Sequence, residues 1–186
     1  MRKVIAGYGS IDSYTHQAFK EIIINKSYNT DYYECQSFKE VCVSVIEGKS
    51  DYGLLPLYNS SMGNIKEAVS AIKFYNLQKA ETLKLSIQHA LVGCEGSNLD
   101  TIQSVLVYDA VLKQCINNIY NYNLKVIKHH GTASAIKEVV KLHDLSLSAI
   151  GTIEAARKLK TNILCYPFND NLDNNTTFGL FIKSAV

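Results

Sequence analysis

The chain has 186 residues, 47% hydrophobic and 19% charged, which is apolar material enough for one large domain or two small lobes. Its formal charge of +2 comes from 19 basic and 17 acidic residues scattered along the length, with no run of Lys and Arg able to track phosphates, so no nucleic-acid partner is expected. No apolar stretch reaches the roughly 20 residues of a membrane helix. The opening Met-Arg-Lys leads straight into a short apolar strand pattern, so no membrane partner and a cytoplasmic location are expected.

In chain order, an apolar strand pattern at Lys3 to Gly7 is followed by helical spacing from about Thr15 to Ile24, an apolar stretch from Phe38 to Glu47, and a strand from Gly53 to Leu57. Pro56 reads as an abrupt strand exit. Glu81 to Cys94 is extended and β-prone, placed to cross between two halves with a cleft between them. The second half has strands near Ser104 to Tyr108, Leu124 to Lys128, Leu147 to Ile150 and Ile163 to Tyr166. Helices near Val111 to Tyr120, Ala133 to Leu142 and Ile153 to Leu159 separate them. Such alternation predicts parallel sheets covered by helices on both faces. Asn64 with Glu67 has the spacing of a capping box, and Asp109, Thr132 and Thr152 each precede a helical run. Ligands of such sheets settle at strand-to-helix turns, where helix N-termini present uncommitted N–H groups.

Four segments carry polar groups at such turns. Asp51 to Ile65, DYGLLPLYNSSMGNI, opens from a strand into Asn59, Ser60 and Ser61, able to face a polar ligand and equally able to serve as turn and capping residues. His130 to Val139 offers a Gly131-Thr132 turn suited to a carboxylate, although the residues alone favour an ordinary N-cap. In the tail, Thr176, Thr177 and Phe178 start an alternating strand, a placement that propensity alone explains. Gly7 to Phe19 is a small, polar loop without the lysine or glycine spacing of a phosphate loop, and His16 in it reads as a helix residue. The five cysteines form no CxxC pair and read as reduced, mostly buried thiols. His129 and His130 are strand neighbours whose rings should point apart, so no metal site is expected.

Taken in order, these segments resemble the prephenate dehydratase family. Its opening glycine turn and aromatic-Ser-x-Gln-Ala stretch are echoed by Gly9 and by Tyr14 to Ala18. Its acidic-Tyr-Gly-hydrophobic-Pro-x-Glu-Asn-Ser motif is echoed by Asp51, Tyr52, Gly53, Pro56, Tyr58, Asn59 and Ser60, with Gly63 following. A crossing strand carries His89, and an Ala-Leu-x-Gln-Cys helix appears as Val111 to Cys115. Its Ser-Thr-Ala-x-Ala turn is similar to Gly131 to Ala135, its Ala-Ile-Gly/Ala-Ser segment to Ala149 to Thr152, and its Asp-x-x-x-Asn-x-Thr-Arg-Phe motif to Asp170, Asn174, Thr176, Thr177 and Phe178.

The resemblance implies an α/β fold like the two-lobed type II periplasmic binding proteins, with parallel-rich sheets flanked by helices and an interlobe cleft. One domain would span 1–186, with lobe 1 at about 1–80 plus 166–186 and lobe 2 at about 81–165. It implies a carbon-oxygen lyase of phenylalanine synthesis that converts prephenate to phenylpyruvate. Thr176 would be the proton donor; Tyr58, Asn59, Ser60, Ser61, Thr132, Ala133, Thr177 and Phe178 would bind a small dicarboxylate; no cofactor or metal is needed. A homodimer is implied. The family's C-terminal ACT domain has no counterpart here, so feedback through it is not expected. Thr177 stands where the family has arginine, Tyr58 where it has glutamate, Gly131 where it has serine, and Val107, Tyr108 and Asp109 where it has Ser-His-Pro. Lys66, Lys128, His129, His130 and Arg157 are the candidate replacements for the lost cation. These departures keep three alternatives open: a non-aromatising prephenate decarboxylase, an arogenate dehydratase, and a non-catalytic binder of small anions.

Overall fold

A computed structural model describes residues 2–26 and 29–184. The chain divides into two compact units, Met1–Ile87 with Asn175–Val186, and Gln88–Asn174.

The first unit runs β1 (Lys3–Tyr8), α1 (Tyr14–Lys26), β2 (Thr30–Cys35), α2 (Phe38–Ile46), β3 (Tyr52–Asn59), β4 (Gly63–Asn64), α3 (Lys66–Phe74) and β5 (Leu77–Ser86). The chain returns to it as β11 (Asn175–Lys183). The sheet order is β2-β1-β3-β11-β5, with β4 paired to β3. Neighbouring residues such as Ile5 and Ala6, Leu54 and Leu55, and Leu180 and Phe181 fill two separate clusters, the first of each pair against α1 and the second against α2. A strand buried on both faces has no polar side to alternate with, which is why these segments are continuous apolar runs.

The sheet is mixed. β1 pairs in parallel with β2 and β3, whereas β11 lies antiparallel between β3 and β5. Pro56 does not end its strand: β3 continues to Asn59, the last β1 partner on β3 is Leu54, and the ladder to β11 shifts register next to the proline. A proline is tolerated beyond a ladder or at a bulge. Asn64 caps nothing through its side chain; it pairs with Tyr58 as part of β4, and Ile65 precedes α3 without a side-chain bond. Of the stretch from Phe38 to Glu47, Phe38–Ile46 is helical, capped by Ser37, whose hydroxyl accepts the Glu40 N–H at 3.1 Å.

The second unit runs β6 (His89–Gly93), β7 (Ser104–Tyr108), α4 (Asp109–Asn121), β8 (Lys125–His129), α5 (Thr132–Leu142), β9 (Leu147–Thr152), α6 (Ile153–Lys158) and β10 (Asn162–Cys165). Its sheet order is β10-β6-β9-β7-β8, with β7 parallel to β8 and β9, and β6 antiparallel to β9 and β10. Leu106, Ala149 and Ile136 fill the α5 side; Val105, Val107, Ile150 and Phe168 fill the α4 side. Thr152 caps α6 by accepting the Ala155 N–H at 3.1 Å. Asp109 and Thr132 are instead first helical residues, behind Tyr108 and Gly131. No helix among the described residues is long and apolar enough to cross a membrane.

Candidate active site

In the first unit, Asn59 ends β3 and Thr176 faces it across the ladder to β11. Both are buried, at 2% and 6% exposure. The Asn59 Nδ2 donates to Thr176 Oγ1 at 3.0 Å and to the Asn175 carbonyl at 3.2 Å, while its Oδ1 accepts the N–H groups of Ser61 at 3.0 Å and Met62 at 3.1 Å. Ser60 clips the same corner: its N–H donates to the Asn175 carbonyl, and its hydroxyl accepts the Asn175 N–H, each at 2.9 Å. The amide of Asn59 thus fixes one lone pair of the Thr176 hydroxyl, and that hydroxyl keeps its proton to give in another direction.

Tyr58, Thr177 and Lys84 form the next row across β3, β11 and β5, Thr177 being the direct partner of both others. Directly opposed residues of antiparallel strands share a face. Lys84 is therefore an ammonium beside Thr177, a cation that the sequence reading did not single out because strand register is needed to see it. Among the five cations considered there, Lys128 pairs with Asp109 at 3.0 Å and His129 with Glu138 at 3.0 Å; Lys66 begins α3, His130 is exposed after β8, and Arg157 sits in the last turn of α6. Phe178 is 2% exposed and packs in the α1 cluster with Phe19 and Leu180. The β1–α1 loop is occupied by internal bonds: Tyr32 donates to the Gly9 carbonyl at 2.8 Å, and the Asp12 N–H donates to Nδ1 of buried His16 at 3.2 Å.

The second unit carries Thr132 and Ala133 as the first residues of α5, Thr132 half-buried and Ala133 buried. His129 and His130 do not point apart: β8 ends at His129, His130 bends out of the strand, and the two rings stack at 4.2 Å. A separate buried network joins His89, Gln114 and Asn174. Nε2 of His89 lies 3.2 Å from Gln114 Oε1, which also accepts from Asn174 Nδ2. Burial pushes the His89 imidazole down to about 4, against the smaller upward pull of Gln114, so the ring is neutral near neutrality. Asp170 accepts the N–H groups of Asn117 and Asn118 of α4, each at 3.0 Å. Asp170 and Asn174 of the tail motif are therefore anchored to α4.

All five cysteines are free, and four are buried. Burial pushes the Cys35 and Cys42 thiols up to about 11, which makes them packing groups and poor nucleophiles. Among the described residues no group of three or more His, Cys, Asp or Glu side chains is placed to hold a metal ion.

A family model described as prephenate dehydratase matches residues 5–185. A bifunctional chorismate mutase/prephenate dehydratase of Buchnera aphidicola subsp. Schizaphis graminum is 29% identical over 174 residues, covering 93% of this chain and 43% of that protein. The chain spans 40% to 43% of the length of the first curated relatives it matches. Among solved structures, the prephenate dehydratase of Arthrobacter aurescens in complex with L-Phe superposes with a TM-score of 0.85 at 19% identity, over 98% of this chain and 61% of that one. A lipoprotein of Bacillus subtilis described as methionine-binding superposes with a TM-score of 0.55 at 11% identity, over 98% of this chain and 84% of that one. These two likenesses concern the fold, which is that of the dehydratases and of two-lobed binding proteins.

Proposed function

Because the chain belongs to the prephenate dehydratase family, we propose that it converts prephenate to phenylpyruvate and that Thr176 is the proton donor. The reaction breaks the bond from the ring to its carboxylate, releasing carbon dioxide. The electron pair left behind flows through the ring and expels the hydroxyl opposite. Aromatisation drives the reaction, and the difficulty is the hydroxide, a poor leaving group unless a proton reaches it. Phenylpyruvate, carbon dioxide and water balance prephenate plus one proton.

The observation that supports this reading is the bond from Asn59 Nδ2 to Thr176 Oγ1. A hydroxyl that accepts from an amide is polarised toward giving its own proton, and a buried position keeps water from competing for it. Ser60 and Ser61 shape the corner that holds Asn59; Tyr58 and Thr177, with Lys84 beside them, supply the polar row next to it. Thr132 and Ala133, opening α5, offer N-terminal N–H groups to a carboxylate. Phe178, two residues along the same strand as Thr176, contributes by anchoring that strand in the α1 cluster. A cytoplasmic homodimer is the form in which we expect the enzyme to work.

The test is to incubate the purified protein with prephenate at neutral pH and follow phenylpyruvate. Wild type should form it, and Thr176→Ala should be slower by roughly 10² to 10⁴, the usual range for a positioned acid. Prephenate consumed without an aromatic product, or turnover confined to arogenate, would replace this reading.

A further inference from the structure

Thr176 is the second residue of β11, which begins at Asn175. A strand end frays unless the chain leading into it is tied down. Ahead of Asn175 that tie is made to α4, by Asp170. Its carboxylate accepts the N–H groups of Asn117 and Asn118, each at 3.0 Å, and its own N–H donates to the Gln114 carbonyl at 2.9 Å. In a regular helix the Asn118 N–H belongs to that same Gln114 carbonyl, so Asp170 lies across one rung of the helix ladder and bonds to both of its sides. A capping carboxylate would take the N–H groups of the first turn; these lie well inside Asp109–Asn121.

The link from this clasp to Thr176 is short and stiff. Asn171 Oδ1 accepts the Asp173 N–H at 2.9 Å, closing a turn, and Asn174 Nδ2 donates to the side chain of the same Gln114. Asn175 follows at once. Its N–H donates to Ser60 Oγ, and its carbonyl accepts from the Ser60 N–H and from Asn59 Nδ2, the amide that also holds Thr176 Oγ1. Asp170 itself is exposed, so replacing it opens no cavity in the core.

We infer that Asp170 is a positioning residue for Thr176: by clasping α4 it sets the direction from which the chain enters β11, and so the place of the hydroxyl that Asn59 holds. The consequence for catalysis rests on the dehydratase reading; the tie from clasp to strand end does not. A displaced donor slows proton transfer, while substrate binding, which other groups provide, is left as it was.

The experiment places Asp170→Asn in the full chain with Thr176 and, separately, with Thr176→Ala, and measures steady-state kinetics on prephenate. Asparagine keeps one oxygen for two N–H groups and turns an amide toward the other. With Thr176 present, kcat should fall roughly 10-fold while KM stays within about 2-fold. With Thr176→Ala, the same substitution should change kcat by less than about 2-fold, because Asp170 acts through the hydroxyl that is gone. Nitrogen-15 NMR should show the Asn175 and Thr176 amides shifted in Asp170→Asn and exchanging faster with solvent, with those of β1 unchanged. Equal losses in the two backgrounds overturn the inference, as does a rise in KM without a fall in kcat. So do Asn175 and Thr176 amides that ignore the substitution. If the wild type leaves prephenate untouched, the dehydratase reading falls and the two amides decide the tie.

Discussion

At the scale of single residues, the amide of Asn59 has two ends with separable duties. Its Oδ1 holds the N–H groups of Ser61 and Met62, and its Nδ2 holds Thr176. Asn59→Ala removes both and should lower stability by about 1 to 3 kcal/mol in urea unfolding, the usual cost of deleting one partner of buried polar groups. Asn59→Asp keeps the acceptor and reverses the other end. A carboxylate has no proton to give Thr176 Oγ1 and instead captures the proton of that hydroxyl. Phenylpyruvate formation should then fall to the level of Thr176→Ala, and the urea midpoint should fall as well, because the carboxylate is buried against the Asn175 carbonyl that Nδ2 held. An aspartate variant with wild-type turnover would remove the role given to the Asn59–Thr176 bond. Asn59 and Thr176 are 117 positions apart, so this bond was invisible to local spacing. What made both residues candidates was the family resemblance, since asparagine at a turn and threonine at a strand start are ordinary.

At the scale of elements, the placement of α5 depends on a glycine in the neighbouring strand. A Cβ on Gly151 of β9 would stand 2.6 Å from Ile136 Cδ1 and 3.1 Å from the Thr132 carbonyl oxygen. The isoleucine tip can rotate away; the carbonyl belongs to the first turn of α5 and cannot move without carrying Thr132 with it. Gly151→Ala should cost about 1 to 3 kcal/mol in urea unfolding, as overpacked cores do. Through the displaced turn it should also raise KM for prephenate more than it lowers kcat. The elements that the sequence located well are those in the second unit, where runs such as Ser104–Tyr108 and Leu147–Thr152 are bounded by turns and buried on both faces. β2 escaped because Thr30–Cys35 is an edge strand with only its last residue buried; β5 is legible only from Glu81 on, within the extended stretch to Cys94, because Gln78, Lys79 and Ala80 at its start are all exposed and give no alternation. β4 is two residues long and exists only through its pairing with β3, which is also why Asn64 is not the cap of α3.

At the scale of the whole molecule, the boundary between the units is set by hydrogen bonds far apart in sequence. β5 stays on β11 as far as Ser86, so residues 81–86 belong to the first unit, and the bonds of Phe168, Asn169 and Asp170 to His89 and α4 hold residues 166–174 in the second. Buried among the latter bonds, His89 ties global stability to pH. Its ring is pushed from the ordinary 6.5 down to about 4 by burial, so between those values the unfolded chain takes up a proton that the folded chain refuses. Stability therefore falls as pH drops from about 6.5 and loses this contribution fully below about 4, by an amount on the order of 3 kcal/mol. The carboxylates of Asp51 and Asp144, both held below their ordinary range by hydrogen bonds, weaken the fold only at still lower pH. Because the chain carries four further histidines, the measurement is the difference in unfolding free energy between wild type and His89→Gln, taken by urea titration from pH 4 to 7. Glutamine removes the titrating group, so the difference should shrink steadily toward pH 4. A constant difference across the interval would mean that the ring takes up its proton in the fold as readily as in the unfolded chain, its bond to Gln114 offsetting its burial.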